Sequence, residues 1–103
     1  MVNKNIFDLI PIIKHYFSDK PVLRAWLFGS CSRGEETPSS DIDILVDYDE
    51  SKGVVSLLKI GGMQMDLSHL LGRKVDLVES QGLMEFARAS VERDKILIYE
   101  REN

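Results

Sequence analysis

Two apolar runs, joined by a small turn and a polar loop, constrain the fold of this chain more than any other feature of its sequence. The first run, residues 22–28, alternates between two faces as a strand does and stops at Gly29-Ser30. The second run, residues 41–48, starts after ten further residues and carries Asp41 and Asp43 at its head. Residues i and i+2 of a strand point to the same face, with Cα atoms about 6.5–7 Å apart. The pattern therefore predicts a sharp turn that faces a pair of carboxylates.

The apolar spacing in the rest of the chain predicts alternating helices and strands. Helices are expected over residues 5–17, 54–71 and 83–93, and strands over residues 22–28, 41–48, 74–79 and 96–99. Pro11 lies inside the first helical pattern, where it either kinks the helix or marks its true start with Asp8 near the cap. This order predicts an α/β (α+β) fold, a small mixed β-sheet flanked by helices, in a single domain over residues 1–103.

The long helix predicted over residues 54–71 contains a glycine pair, Gly61-Gly62, where we expect a kink or a close backbone contact. Gly72 is a candidate for a left-handed residue that stops this helix. The apolar residues expected to contribute to its buried side are Val54, Leu57, Leu58, Met65, Leu70 and Leu71.

Composition narrows the classes of function. The net charge of −4 provides no broad basic surface, which argues against nucleic acid as a partner. The single cysteine excludes an intrachain disulfide and favours a reducing compartment. No apolar run approaches the roughly 18 residues of a membrane span, and the N-terminus lacks a signal-peptide pattern. We therefore expect a cytoplasmic protein that does not bind membranes.

The Gly29-Ser30 turn has two interpretations. A glycine after a strand lets the backbone approach a ligand closely, and one helical turn over residues 31–35 would favour a phosphate at its start, with the Ser30 hydroxyl as a further donor. Gly-Ser also occurs in many ordinary turns, so the pair alone is a weak signal. Cys31, inside the turn, is expected to be a spectator within reach of thiol reagents.

Three aspartates are candidate metal ligands. Asp41 and Asp43 repel each other on one strand face unless water or a cation separates them, and Mg²⁺ binds one or two carboxylates together with substrate phosphates. Asp76 interrupts an apolar strand and would join them if the two strands are neighbours, so that three carboxylates could hold two metal ions or Asp76 could act as general base. The alternatives are a solvated acidic strand face and an ordinary aspartate at a strand edge.

These motifs carry a family resemblance. Gly29-Ser30, ten intervening residues and Asp41-Ile42-Asp43 resemble the signature of the DNA polymerase beta-like nucleotidyltransferase superfamily. The longer stretches 28–35 and 40–46 are similar to those of its minimal nucleotidyltransferase (MNT) branch, and residues 71–78, Leu-Gly-Arg-Lys-Val-Asp-Leu-Val, resemble the third motif of that branch.

The resemblance implies a nucleoside triphosphate bound with Mg²⁺, with Asp41 and Asp43 as metal ligands and Asp76 as third carboxylate. It implies that Gly29 and Ser30 hold the triphosphate.

The resemblance also places Arg33 near a phosphate or in support of the turn. An ion pair of Arg33 with Glu35, Glu36 or Asp41 is the alternative. Small proteins of the MNT branch are commonly antitoxins that add AMP to a tyrosine of a helical HEPN-domain ribonuclease toxin.

Three functions follow from the motifs and the resemblance. The first is transfer of a nucleotidyl group, AMP from ATP, to a hydroxyl of a partner protein, the HEPN toxin. The second is transfer to a small molecule such as an aminoglycoside, for which a homodimer would have to build the acceptor pocket. The third is a non-catalytic nucleotide-binding antitoxin that acts by occlusion. The absence of a second domain to shape an acceptor pocket argues against the second function, and the oligomeric state, homo- or hetero-oligomer, is left open.

Overall fold

The computed structural model describes residues 2–35, 37, 39–82 and 85–102. In chain order its elements are α1 (Lys4–Phe7), α2 (Ile10–Phe17), β1 (Val22–Phe28), α3 (Ser30–Arg33), β2 (Ile42–Tyr48), α4 (Leu57–Leu71), β3 (Val75–Glu79), a 3₁₀ turn (Ser80–Gly82), α5 (Glu85–Asp94) and β4 (Ile96–Glu100). The predicted start of the last helix at Leu83 and the side chain of Phe86 lie outside the described residues.

The four strands form one sheet in the order β3-β2-β1-β4. Strand β1 runs antiparallel to both β2 and β4, whereas β2 and β3 are parallel. The predicted mixed sheet flanked by helices is confirmed. Within the described ranges, no helix combines the length and apolar character needed to cross a membrane.

The main core lies between one face of this sheet and helices α2 and α4. Strand β2 directs Ile42, Ile44 and Val46 into it, where they are fully buried in one cluster with Phe17 of α2 and Leu67 of α4. Because side chains alternate along a strand, Asp43 and the other odd-numbered residues of β2 point to the opposite face. The candidate site is thus separated from the main core by the thickness of the sheet.

Proline divides the first helical segment. Pro11 lies in the first turn of α2, with Leu9 as its N-cap, and Asp8 is the C-cap of the preceding short helix α1. Proline is accepted in a first turn because its missing N–H has no partner there. Of the two predicted outcomes, Pro11 marks a helix start, although Asp8 does not cap it.

The predicted buried side of α4 is wrong for most of its residues. Helix α4 begins at Leu57, after Ser56 accepts a hydrogen bond from the Lys59 N–H, and it buries Met63, Leu67 and Leu71. Among the residues expected to be buried only Leu71 is, and five are 54–88% exposed: Val54, Leu57, Leu58, Met65 and Leu70. Apolar residues occur on several sides of this helix, so their spacing alone did not identify the side that contacts the sheet.

Two polar side chains of α4 explain which side faces the sheet. The Val75 N–H donates to Ser68 Oγ (3.0 Å) and the Leu77 N–H donates to Gln64 Oε1 (2.7 Å). Strand β3 is an edge strand, so these amides point away from β2 and would otherwise lack a strand partner. Gln64 and Ser68, one helical turn apart, replace the missing strand along this edge.

The glycine pair in α4 has no close neighbour. A Cβ atom at Gly61 or Gly62 would meet nothing within 4 Å, and the helix runs through both residues without interruption. The predicted close backbone contact is therefore wrong. Gly72 has a φ of 68° and ends the helix as predicted.

We expect Gly62→Ala to raise the free energy of unfolding by about 0.5–1 kcal/mol, because alanine loses less backbone entropy in a helix. Urea unfolding followed by circular dichroism would measure this change as a higher midpoint at unchanged slope. Gly72→Ala is the matched control: its space is equally open, but its positive φ predicts a lower midpoint. A lower midpoint for Gly62→Ala as well would contradict an unstrained, continuous helix.

Candidate active site

Asp43 lies at the centre of a row of side chains that crosses three strands. In the sheet register it is paired with Phe28 of β1 on one side and with Asp76 of β3 on the other. Paired residues of neighbouring strands share a face, with strands about 4.8 Å apart. The condition under which Asp76 would join the other carboxylates, that its strand is the neighbour of the Asp43 strand, is met. The side chains of Asp43 and Asp76 are both partly buried.

The turn after β1 contacts the carboxylate of Asp43. Gly29 has φ 68° and ψ −150°, a conformation that is essentially restricted to glycine. A Cβ atom at this position would lie 3.0 Å from Asp43 Oδ2. The backbone conformation therefore calls for glycine, and any side chain here would also force the Asp43 carboxylate to shift by a few tenths of an ångström.

Two hydrogen bonds in and around helix α3 stabilise this turn. The buried Ser32 hydroxyl donates to the Gly29 carbonyl (2.8 Å), and Gly34, in the left-handed conformation, ends the helix with its N–H on the Ser30 carbonyl. The helical turn expected over residues 31–35 is observed at Ser30–Arg33. Cys31 is 1% exposed, which makes its predicted accessibility to thiol reagents wrong.

The pKa of Asp43 reflects its burial and the charges around it. Burial raises its pKa, and the negative charges of Asp76 and Asp41 raise it further, whereas Lys74 acts in the opposite direction. A carboxylate whose pKa is raised by burial and by neighbouring negative charges attracts a cation, because a cation favours its charged form. The arrangement concentrates negative charge on the face of the sheet beside the Gly29 turn.

Asp41 stands just before β2, since the strand begins at Ile42 and not, as predicted, at Asp41. Its carboxylate Oδ2 lies 3.7 Å from Lys74 Nζ. The backbone carbonyl of Asp41 accepts a hydrogen bond from the Cys31 thiol (3.7 Å between sulfur and oxygen), which links it to α3. Asp41 thus borders the row formed by Asp43 and Asp76 but is held by loop contacts.

Arg33 is engaged in ion pairs. Its Nε donates to Glu35 Oε1 (2.8 Å) and its Nη1 donates to Asp94 Oδ2 (3.2 Å) at the end of α5. The ion pair with Glu35 was one of the predicted alternatives, whereas Glu36 lies outside the described residues. Arg33 therefore ties the turn of α3 to α5.

One residue beside the site was missed by the sequence reasoning. Arg73 Nη2 donates to the backbone carbonyls of Thr37 (2.8 Å) and Ser40 (2.7 Å), in the loop that leads to Asp41. Parallel pairing of β2 and β3 brings the residues that precede both strands to the same end of the sheet. The position of Arg73 just before β3 was the signal that could have identified it.

The described residues do not include three His, Cys, Asp or Glu side chains close enough together to hold a metal ion by themselves. The structure brings Asp43 beside Asp76 and Gly29, and places Asp41 at their border. The role of these residues as metal or nucleotide ligands stays a prediction.

Comparison with known proteins gives the family. The family model of polymerase beta nucleotidyltransferases matches residues 12–103. The chain belongs to the polymerase beta nucleotidyltransferase family. This assignment agrees with the resemblance found in the motifs around Gly29, Asp41 and Asp76.

Two relatives of this nucleotidyltransferase are named as protein adenylyltransferases. A provisionally named protein adenylyltransferase of Methanocaldococcus jannaschii is 40% identical over 88 residues, which cover 84% of this chain and 84% of the relative. The protein adenylyltransferase MntA of Thermococcus cleftensis is 40% identical over 72 residues, 70% of each chain.

Solved structures share the fold of this nucleotidyltransferase. A structure provisionally described as a minimal nucleotidyltransferase superposes with a TM-score of 0.76 at 30% identity, covering 93% of this chain and 95% of the other. A chain from a complex of tri-AMPylated Shewanella oneidensis HEPN toxin with MNT antitoxin superposes with a TM-score of 0.61 at 20% identity, covering 93% of this chain and 70% of that chain. The second likeness concerns the fold alone.

Proposed function

We propose that this chain is a Mg²⁺-dependent protein adenylyltransferase that transfers AMP from ATP to a hydroxyl of a HEPN-domain partner protein, as the antitoxin to that toxin. The observation that carries the proposal is the Asp43 carboxylate, placed against the Gly29 turn and beside Asp76. Relatives that are 40% identical and named as protein adenylyltransferases support the reaction. The partner is proposed by analogy, because an MNT antitoxin with the same fold is found in complex with an AMPylated HEPN toxin. We place the reaction in the cytoplasm, which supplies both ATP and Mg²⁺.

The donor set of the site suits Mg²⁺. This ion seldom uses a cage made only of protein ligands, and it typically binds one or two carboxylates, several waters and substrate phosphates. A site built from Asp43 and Asp41, with Asp76 as third carboxylate, therefore fits although no three-ligand group exists in advance among the described residues. Bound Mg²⁺, as one ion or two, would neutralise charge on the triphosphate and polarise the phosphoryl group under attack.

The residues of the chain would position the nucleotide and accept a proton. The backbone at Gly29 and Ser30 approaches the triphosphate, and Lys74, mostly exposed beside Asp41, adds a positive charge nearby. Arg33, held by Glu35 and Asp94, supports the turn instead of contacting phosphate.

The transfer step is a displacement at the α-phosphorus of ATP. The acceptor oxygen forms a bond to this phosphorus, the α–β phosphoanhydride bond breaks, and pyrophosphate leaves. The proton of the acceptor hydroxyl passes to Asp76 as general base. The partner protein supplies the surface that orients its own hydroxyl.

The raised pKa of Asp43 predicts how the transfer rate depends on pH and on the Mg²⁺ concentration. Because the pKa of Asp43 is raised, protonation removes a metal ligand at a higher pH than for an ordinary aspartate. We expect the transfer rate at low Mg²⁺ to fall as the medium is acidified, and the midpoint of this fall to move to lower pH as Mg²⁺ is increased, since the ion competes with the proton. A midpoint that is independent of Mg²⁺ would contradict Asp43 as a metal ligand.

ATP labelled at either the α or the γ phosphorus tests directly which group is transferred. We expect label from [α-³²P]ATP, but not from [γ-³²P]ATP, to appear on a purified HEPN partner when the chain and Mg²⁺ are present. Transfer of the γ label would indicate a kinase and contradict the proposal. Neutralisation of the toxin with neither label transferred would indicate occlusion and would also contradict it.

A further inference from the structure

Arg73, which precedes β3, donates hydrogen bonds to the loop before Asp41. Nη2 of Arg73 donates to two backbone carbonyls, those of Thr37 (2.8 Å) and Ser40 (2.7 Å). The same loop turns back on itself, because the Ser40 N–H donates to the Thr37 carbonyl (2.9 Å). One planar guanidinium thus holds both ends of this turn at the residue directly before Asp41.

The residue after Asp41 is fastened by the same segment. The Ile42 N–H donates to the Lys74 carbonyl (2.9 Å), so that residues 73 and 74 contact the chain on both sides of Asp41. Asp43, in contrast, lies within β2 and is paired with both neighbouring strands. The sheet fixes Asp43, whereas the position of Asp41 depends on the contacts of the loop.

We propose that Arg73 is a positioning residue for Asp41, and that its two hydrogen bonds hold the Asp41 carboxylate where it can serve as a metal ligand. The inference rests on the proposed function of the site. Arginine suits this task because Nη2 carries two N–H groups in the fixed plane of the guanidinium, and the group remains charged at every physiological pH. The flexible lysine side chain reproduces such a geometry only in part.

Arg73→Ala is expected to weaken the use of the metal more than the fold. Residues that orient metal ligands typically contribute about 10- to 100-fold to metal affinity or activity. We therefore expect the Mg²⁺ concentration for half-maximal transfer to rise by about 10- to 100-fold in Arg73→Ala. For Arg73→Lys, this concentration should lie between those of the wild type and Arg73→Ala. The affinity for Mn²⁺ in the presence of ATP, measured by electron paramagnetic resonance, should decrease in the same order without any turnover.

Arg101→Ala is the matched control. Arg101 also joins separate segments, because it contacts the Asp49 carboxylate and the Lys20 carbonyl. Lys20 precedes β1 and Asp49 follows β2, so both lie at the end of these strands opposite Phe28 and Asp43. At a temperature where circular dichroism shows every variant folded, Arg101→Ala should keep the metal requirement of the wild type.

Two results would overturn the inference. One is an Arg73→Ala protein with the Mg²⁺ requirement and Mn²⁺ affinity of the wild type. The other is an equal change in Arg101→Ala, which would assign the effect to general loosening of the fold. If the wild type transfers no label, the proposed function fails by itself, and the Mn²⁺ affinities alone decide the role of Arg73.

Discussion

We expect Asp43→Asn to reduce nucleotidyl transfer by about three orders of magnitude, which corresponds to about 4 kcal/mol of lost transition-state stabilisation. The asparagine keeps the size of the side chain beside Gly29 and Asp76 but loses the charge that a metal ion requires. Initial rates of transfer from labelled ATP at saturating Mg²⁺ would measure the loss.

The same substitution is expected to leave stability unchanged or to raise it. The folded protein raises the pKa of Asp43, so the folded state binds this proton more tightly than the unfolded chain does. The free energy of unfolding then falls as pH rises from the ordinary aspartate value of about 3.9 through the raised value. At pH 7 without metal, Asp43→Asn should melt no lower than the wild type, and any advantage should shrink as the pH approaches 3.9.

Asp47→Asn is the control for this experiment. Asp47 lies on the same strand and the same face, but it is near the other end of β2, where its carboxylate pairs with Arg24 (3.0 Å). We expect its transfer rate to stay within about twofold of the wild type, since an exposed ion pair contributes little. Equal losses in both variants, or full activity in Asp43→Asn, would contradict the proposed site.

We expect Gly29→Ala to lower both activity and stability. The strained backbone conformation costs about 1–3 kcal/mol for a residue with a side chain. The new Cβ atom would also lie 3.0 Å from Asp43 Oδ2 and displace that oxygen. The required shift is a few tenths of an ångström, less than the displacement of about 1 Å that can reduce a rate 100-fold. We therefore expect a loss of roughly 10-fold or less in the fully folded protein.

Gly53→Ala separates these two effects. Gly53 also has a positive φ, 121°, but a Cβ atom there would meet nothing within 4 Å. Its variant should lose stability in urea unfolding while it keeps its transfer rate. If Gly29→Ala loses only stability, the contact between the turn and Asp43 has no catalytic consequence.

The sequence allowed the strands and the carboxylate row to be predicted because both depend on short-range patterns. Alternation along a strand puts Asp43 opposite the core residues Ile42 and Ile44, and the polar interruption of an apolar strand singled out Asp76 as a third carboxylate. That its strand is the neighbour of β2 is known only from the sheet order. These predictions needed only the two-residue period of a strand and the glycine that ends β1.

Contacts between distant residues were harder to predict. The side of α4 that packs on the sheet depends on Gln64 and Ser68 reaching the amides of β3, which helical spacing does not reveal. Arg33 binds Asp94, 61 residues away along the chain, besides Glu35, which is two residues away. The partners of Arg73 lie 33 and 36 residues away. The partners of a long, flexible side chain depend on which groups the folded chain brings within its reach, and the local sequence does not contain this information.

The bonds from Gln64 and Ser68 to the outer amides of β3 also bear on association between copies of the chain. An open edge strand recruits strands from other molecules and is a common starting point for aggregation. At Val75 and Leu77 the amides are already engaged, so an incoming strand would first have to displace α4. The sheet is therefore protected against strand addition at the edge that carries Asp76.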